Sequence, residues 1–273
     1  MTEYSDSRPE PVAQPLRPPR ISGFRTKIAL LLREMSTTHG RSAGGHLWAI
    51  IDPIAGIALM TVVFSILLRN PPIGTNFMIF YATGFVPFSF YGTLSARMAT
   101  AISSSRALLA YPAVTVIDAV FSRAAITILT EVVVAYLIFS YILLTQETRT
   151  DPDVGHIALA MAMGSALAFS VGIVNAFLFS TFPEWQSIWS ILNRPLFIIS
   201  CVFFIYDTVP HPYDGWLWFN PLVHVIGQMR KGFYHSYPGD YVSPTYVFAV
   251  SAVLTIVGLA LLTRYHREIV NEW

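Results

Sequence analysis

Two carboxylates fall within or beside long apolar stretches, and they are the first residues able to do chemistry. Glu131 sits near the middle of FSRAAITILTEVVVAYLIFSYILL (121–144). A carboxylate at that depth of a bilayer is costly, so it must face a polar lumen or a partner. Asp52, just before Pro53, is shallower, with Arg97 and Arg123 as candidate partners. Either carboxylate can act as glue between helices or as a group on a transport pathway. A proton relay needs several such groups at mid-depth, and the sequence has essentially one. The seven histidines are scattered, with no HExxH and no Cys/His metal cluster. His211, His224 and His235 share one segment without a ligand pattern. Ser103, Ser104 and Ser105 have no neighbouring His to activate a nucleophile. GRSAGGHL (40–47) imitates a phosphate-binding loop, since Gly40 and Gly45 have the required spacing. His46 and Leu47 stand where Lys and Ser/Thr are needed, so the phosphates would find no point charge and Mg²⁺ no hydroxyl. The stretch reads as a flexible turn, and the sequence carries no enzyme signature.

The elements that position these residues are membrane spans. The chain is 273 residues long, 54% hydrophobic and 12% charged, against roughly 25% charged in soluble domains. Its single Cys201 excludes an internal disulfide framework. The first apolar run, Ile28 to Leu32, is too short for a signal-peptide core. Residues 1–20, rich in Pro, form a disordered cytoplasmic tail. Residues 21–47 comprise an amphipathic helix, to about Thr38, and a turn. Ile21, Phe24, Ile28, Leu31, Leu32 and Met35 recur at helical spacing with basic residues off that face, as in a helix lying at the membrane interface.

Residues 48–273 form the transmembrane domain. Six spans are expected, at about 48–68, 77–98, 121–144, 157–181, 192–209 and 245–263. Gly84 and Pro87 are expected to kink the second. An even number puts both termini on one side. With the termini cytoplasmic, thirteen Lys and Arg lie inside and four outside, the positive-inside bias. Residues 99–120 and 182–191 are then cytoplasmic loops, the first with a short helix at Ala101 to Ala110. Gly164, Ala168, Gly172 and Ala176 put a small residue at every fourth position, a stripe for close helix packing. The external segment 210–244 is aromatic, with Leu222, Val225, Ile226 and Met229 at helical spacing. It reads either as half-helices dipping back into the outer leaflet or as an interfacial aromatic belt.

These pieces resemble the ABC-2 type exporter permeases, and most closely the inner-membrane permeases that export capsular polysaccharide in Gram-negative bacteria. The residues carrying the resemblance are Arg33 to Met35, the run 40–59, SRALLAYPAVTVIDAVFSR (105–123) and NPLVHVIGQMRKGFY (220–234). It implies an all-α membrane protein of the ABC-2, type V exporter-like fold. That fold has six transmembrane helices, an N-terminal interfacial helix, a cytoplasmic coupling helix and re-entrant external gate helices before the last span. It implies a homodimer that exports a lipid-anchored capsular polysaccharide and has no ATPase or cofactor of its own. ATP and Mg would be bound by a separate nucleotide-binding subunit dimer. A periplasmic co-exporter and an outer-membrane channel are further implied partners; nucleic acid is not. By the same resemblance Ser103, Ser104, Arg106, Leu109, Tyr111 and Glu184 would couple to the ATPase. Tyr81, Phe85, Phe88, Tyr91, Trp189, Trp216, Trp218, His224 and Arg230 would line the channel or its gate. Aromatic rings suit a glycan because sugar C–H faces stack on them. An O-antigen or a teichoic-acid-like polymer is an alternative cargo, and an ion-coupled carrier an alternative class. A membrane transferase would need an acid/base pair that is absent.

Overall fold

The computed structural model describes residues 45–67, 70–104 and 116–271, and every described element is helical. The tail 1–20, the helix expected over 21–38, and Arg106, Leu109 and Tyr111 lie outside the described residues. In chain order the helices are α1 (Gly45–Leu67), α2 (Phe77–Ala99), α3 (Ala101–Ser104), α4 (Val116–Thr145), α5 (Val154–Thr181), α6 (Pro183–Ile199), α7 (Tyr213–Trp218), α8 (Pro221–Phe233) and α9 (Pro244–Asn271). A 3₁₀ turn, Tyr206–Thr208, precedes α7.

Local chemistry sets the helix starts. The Asn76 side chain accepts from the Met78 N–H and opens α2. The Asp153 carboxylate accepts from Gly155 and His156 N–H groups and opens α5. Those donors and the His156 side chain hold the Asp153 carboxyl below the usual carboxylate range. Pro183 occupies the first turn of α6, where its missing N–H removes nothing from the ladder.

Among the described residues, four helices are long and apolar enough to cross a membrane: α2, Val120–Thr145 of α4, α5, and Pro244–Tyr265 of α9. In α1 the apolar stretch runs from Pro53 to Ile66. Successive antiparallel crossings by α2, α4 and α5 put residues 100–104 and Phe182 on one face and 146–153 on the other.

The expected cytoplasmic loop 182–191 is instead the first half of α6, and the expected span 192–209 is helical only to Ile199. Polar residues in PEWQSIWSILNR lower the local hydropathy, but Trp185, Ile188, Trp189 and Leu192 recur at helical spacing. Helix α6 stops because Cys201 takes a left-handed φ of 62° and the chain turns away.

The core is built around α5, which packs against α2, α8 and α9, while α2 also contacts α1 and α4. The small-residue stripe does the packing expected of it. Gly164 faces Phe90 of α2 and Val225 of α8, and Gly172 lies against Ser95 and Met98 of α2. Helix α2 runs unbroken through Gly84 and Pro87. Gly84 serves close approach, since an added Cβ would sit 2.9 Å from the Val202 carbonyl oxygen.

A Cβ at Gly172 would lie 2.3 Å from Met98 Cβ, whereas one at Gly92 meets nothing within 4 Å. Overpacking a close contact costs about 1–3 kcal/mol. Gly172→Ala is therefore expected to lower the unfolding midpoint of the purified chain, and Gly92→Ala to leave it unchanged or raise it.

Candidate functional site at the helix break

Residues Ser200 to Ile205 join α6 to the 3₁₀ turn without helical hydrogen bonds, yet Ser200, Cys201, Val202 and Ile205 are buried. Backbone carbonyls in such a place must find partners. Helix α8 supplies them from both of its ends. At its start, Asn220 Nδ2 donates to the Ile199 carbonyl at 3.2 Å and to Ser200 Oγ at 3.1 Å. The same side chain accepts from Leu222 N–H at 3.0 Å and so caps α8. Near its end, Arg230 Nη1 donates to the Phe204 carbonyl at 2.8 Å and Nη2 to the Val202 carbonyl at 3.0 Å. The guanidinium is fully buried, its carbon 4.7 Å from the Phe80 ring centre. Among the described residues it has no carboxylate within ion-pair distance.

The break gathers the aromatic candidates of α2. Phe203 stacks on Phe64 at 5.3 Å and on Tyr81 at 5.7 Å, and meets Phe197 edge-on at 4.9 Å. Tyr81 stacks on Phe85 at 5.4 Å. Phe85 and Phe88 both reach Phe197, and Phe88 reaches Tyr91. Tyr81, Phe85, Phe88 and Tyr91 thus join one continuous ladder with three rings of α1, α6 and the break. Tyr81 and Tyr91 are buried within the chain, while Phe85 and Phe88 are half-buried.

Trp218 and His224 belong to a second cluster. His224 is buried, donates from Nε2 to the Trp218 carbonyl at 2.8 Å and accepts at Nδ1 from Ser243 N–H at 3.2 Å. Those partners fix the tautomer, with the proton on Nε2. Trp218 packs on Tyr246 at 4.8 Å and edge-on to His224 at 5.1 Å. The remaining candidates stand apart. Trp189 is half-buried beside Trp185, whose indole N–H donates to Asn175. Trp216 is 78% exposed. Glu131 is half-buried on α4, with Arg97 of α2 as the opposite charge acting on it. The side chain of Asp52 lies outside the described residues. Ser103 and Ser104 fall in the four-residue α3, where Arg123 of α4 donates to Ser104. Glu184 is exposed in the first turn of α6.

Sequence reasoning missed Asn220, Phe197 and Phe203. Asn220 was detectable, because Asn followed by Pro is a helix-start signal. The two phenylalanines were hidden in a uniform apolar run.

Arg230→Met keeps most of the side-chain bulk but leaves the Val202 and Phe204 carbonyls without donors. Each buried unpaired group costs about 1–3 kcal/mol. Cys201 is the chain's single thiol, and it is buried within the break. We expect a membrane-permeant maleimide to spare the wild-type chain and to label Arg230→Met at Cys201.

The family model for the ABC-2 type transporter matches residues 27–234. The polysialic acid transport protein KpsM of Escherichia coli is 31% identical over 244 residues, covering 88% of this chain and 95% of that protein. The capsule polysaccharide export inner-membrane protein CtrC of Neisseria meningitidis is 24% identical over 241 residues, covering 88% and 91%. BexB of Haemophilus influenzae, also a capsule polysaccharide export inner-membrane protein, is 23% identical with the same coverage. The family match takes in α1 through α8, including the break and the helix that closes it. The chain belongs to the ABC-2 type transporter family.

Proposed function

We propose that this chain is the membrane subunit of an ATP-driven exporter that moves a lipid-linked, capsule-type polysaccharide outward across the bacterial inner membrane. The observation that carries the cargo is the extent of the similarity to a polysialic acid transport protein, which spans 95% of that protein's length. Phe85 and Phe88 keep part of their rings outside the chain's own packing, and Trp216 most of its ring. They are the aromatic faces open to a glycan. O-antigen and teichoic-acid-like polymers present the same sugar faces and remain alternative cargoes.

In this reading α1 and α6 add two crossings to the four long apolar helices, and both termini are cytoplasmic. Helix α6 ends part-way, and residues 200–219 with α8 complete the passage as a re-entrant gate. The depth of α8 supports this. Val225 faces Gly164, ten residues beyond Val154 in α5, or about 15 Å of helix. That is about half of a ~30 Å hydrocarbon core. Two copies form the channel, and a separate nucleotide-binding dimer holds ATP and Mg. That dimer docks on the face carrying 101–111 and Glu184, so that Ser103, Ser104, Arg106, Leu109 and Tyr111 transmit its closure. A periplasmic co-exporter and an outer-membrane channel continue the path.

Deleting the gene is expected to abolish surface polysaccharide and to accumulate polymer inside the cell. The wild-type chain should restore export, and the tagged chain should co-purify with a nucleotide-binding subunit. Unchanged surface polysaccharide would reject the cargo. Transport that persists without any ATPase and stops when the ion gradient is collapsed would make the chain a carrier.

A further inference from the structure

Helices α4 and α5 are consecutive spans joined by only the eight residues 146–153, yet they make little direct contact. Between them lies a cleft of about 610 Å³. Val132 and Phe139 of α4 form one wall, Ile157 and Met161 of α5 the other, and Met229 and Phe233 of α8 the floor. Phe139 meets Phe233 at 4.5 Å and closes the base. Only Tyr136, Ser140 and Ser165 of the lining residues carry a polar side-chain atom. Ser165 already donates to the Met161 carbonyl at 2.7 Å.

The surroundings restrict what can fill this space. Water needs two to four polar partners per molecule, which this lining does not offer. An empty cleft would forfeit dispersion contacts along all three walls. Its volume lies within the roughly 300–1,000 Å³ of small-molecule sites. The rim is continuous with the lipid-facing side of α4, where Leu129, Tyr136 and Leu144 are 66%, 70% and 87% exposed, and with Val154 of α5, 76% exposed. The lining runs along α4 from Ile128 to Leu143, about 22 Å of helix, which matches an extended hydrocarbon chain rather than a compact ligand.

We propose that the cleft is a binding site for one acyl chain of a membrane phospholipid, held in the leaflet on the 146–153 side and forming part of the wall that supports α8. The chain would press on Met229 and Phe233, which flank Arg230, the residue that holds the helix break. Lipid packing and the break are thereby joined through one short helix. The inference rests on α4 and α5 crossing the membrane and not on the cargo, so the export experiment and this one fail independently.

The test uses the full-length chain in phosphatidylethanolamine and phosphatidylglycerol vesicles doped with a phospholipid that carries a photoreactive diazirine on its acyl chain. Labelled peptides are mapped by mass spectrometry. Ala158 and Ala162 line the cleft and are exposed, so Ala158→Trp and Ala162→Trp fill it from the α5 wall. Ile256→Trp on the 68% exposed face of α9 is the control. Labelling is expected to concentrate on 128–143 and 157–165, to be lost in both filled variants and to persist in the control. Added phospholipid should raise the unfolding midpoint of the delipidated wild-type chain but not that of Ala162→Trp, provided the variant elutes as the wild type does. Labelling spread evenly over α4, α5 and α9, or unchanged in the filled variants, overturns the proposal. So does finding residues 21–38 or a second copy of the chain crosslinked into the cleft in place of lipid.

Discussion

A helix that stops inside a packed membrane domain leaves carbonyl groups with no water to satisfy them, and the Arg230 guanidinium meets that constraint. It donates to the carbonyls of Val202 and Phe204, while Asn220 takes that of Ile199. Non-helical backbone at membrane depth is tolerated only where the protein itself supplies such partners. Much of the surrounding sequence follows. Cys201 must adopt a left-handed φ, Gly84 must lack a side chain so that Val202 can lie against α2, and Phe80 must face the cation. Helix α8 has to be short, because its two ends must reach the two ends of the break.

Burying a guanidinium without a carboxylate is expensive, and the fold offsets the cost with neutral groups. Two carbonyl dipoles and one aromatic face take the place of a counter-ion. A buried ion pair can lose more in desolvation than it regains, so neutral partners are not a weaker solution here. Helix α5 then fixes the depth of the assembly. Its glycines admit Phe90 and Val225 at one level and Met98 at another, so α2 and α8 lie close against it, while α9 approaches α5 through its own Gly258. Small residues are an effective way to hold spanning helices together, since lipid offers no hydrophobic drive between them.

The helical class, the starts of α2 and α9, and the function of the small-residue stripe were legible in the sequence because they rest on composition and local spacing. So were Leu222, Val225, Ile226 and Met229, whose periodicity marks α8 and which are all buried. The extent of α6 was not legible. Hydropathy averages over a window, and the amphipathic stretch from Pro183 to Arg194 looks polar to it while the break looks like membrane. Pro183 at a helix start and Trp185 with Trp189 one turn apart were better guides. Arg230 was named through the family resemblance, but its partners are backbone carbonyls 26 and 28 residues away. Backbone carbonyls carry no sequence signal. The aromatic residues of α2 could be named from sequence, but their convergence on Phe197 and Phe203 depends on where the chain breaks.

Arg230 ties the break to α8 through two charge-assisted hydrogen bonds to backbone carbonyls. Pulling the two apart would expose a bare charge and several unpaired carbonyls at once. Residues 199–205 and α8 must therefore move as one body. The remaining freedom lies in α6 itself, which has no buried residue and packs mainly against the end of α5. Its exposed Ile188, Ile191, Leu192 and Ile198 find no apolar cover among the described residues.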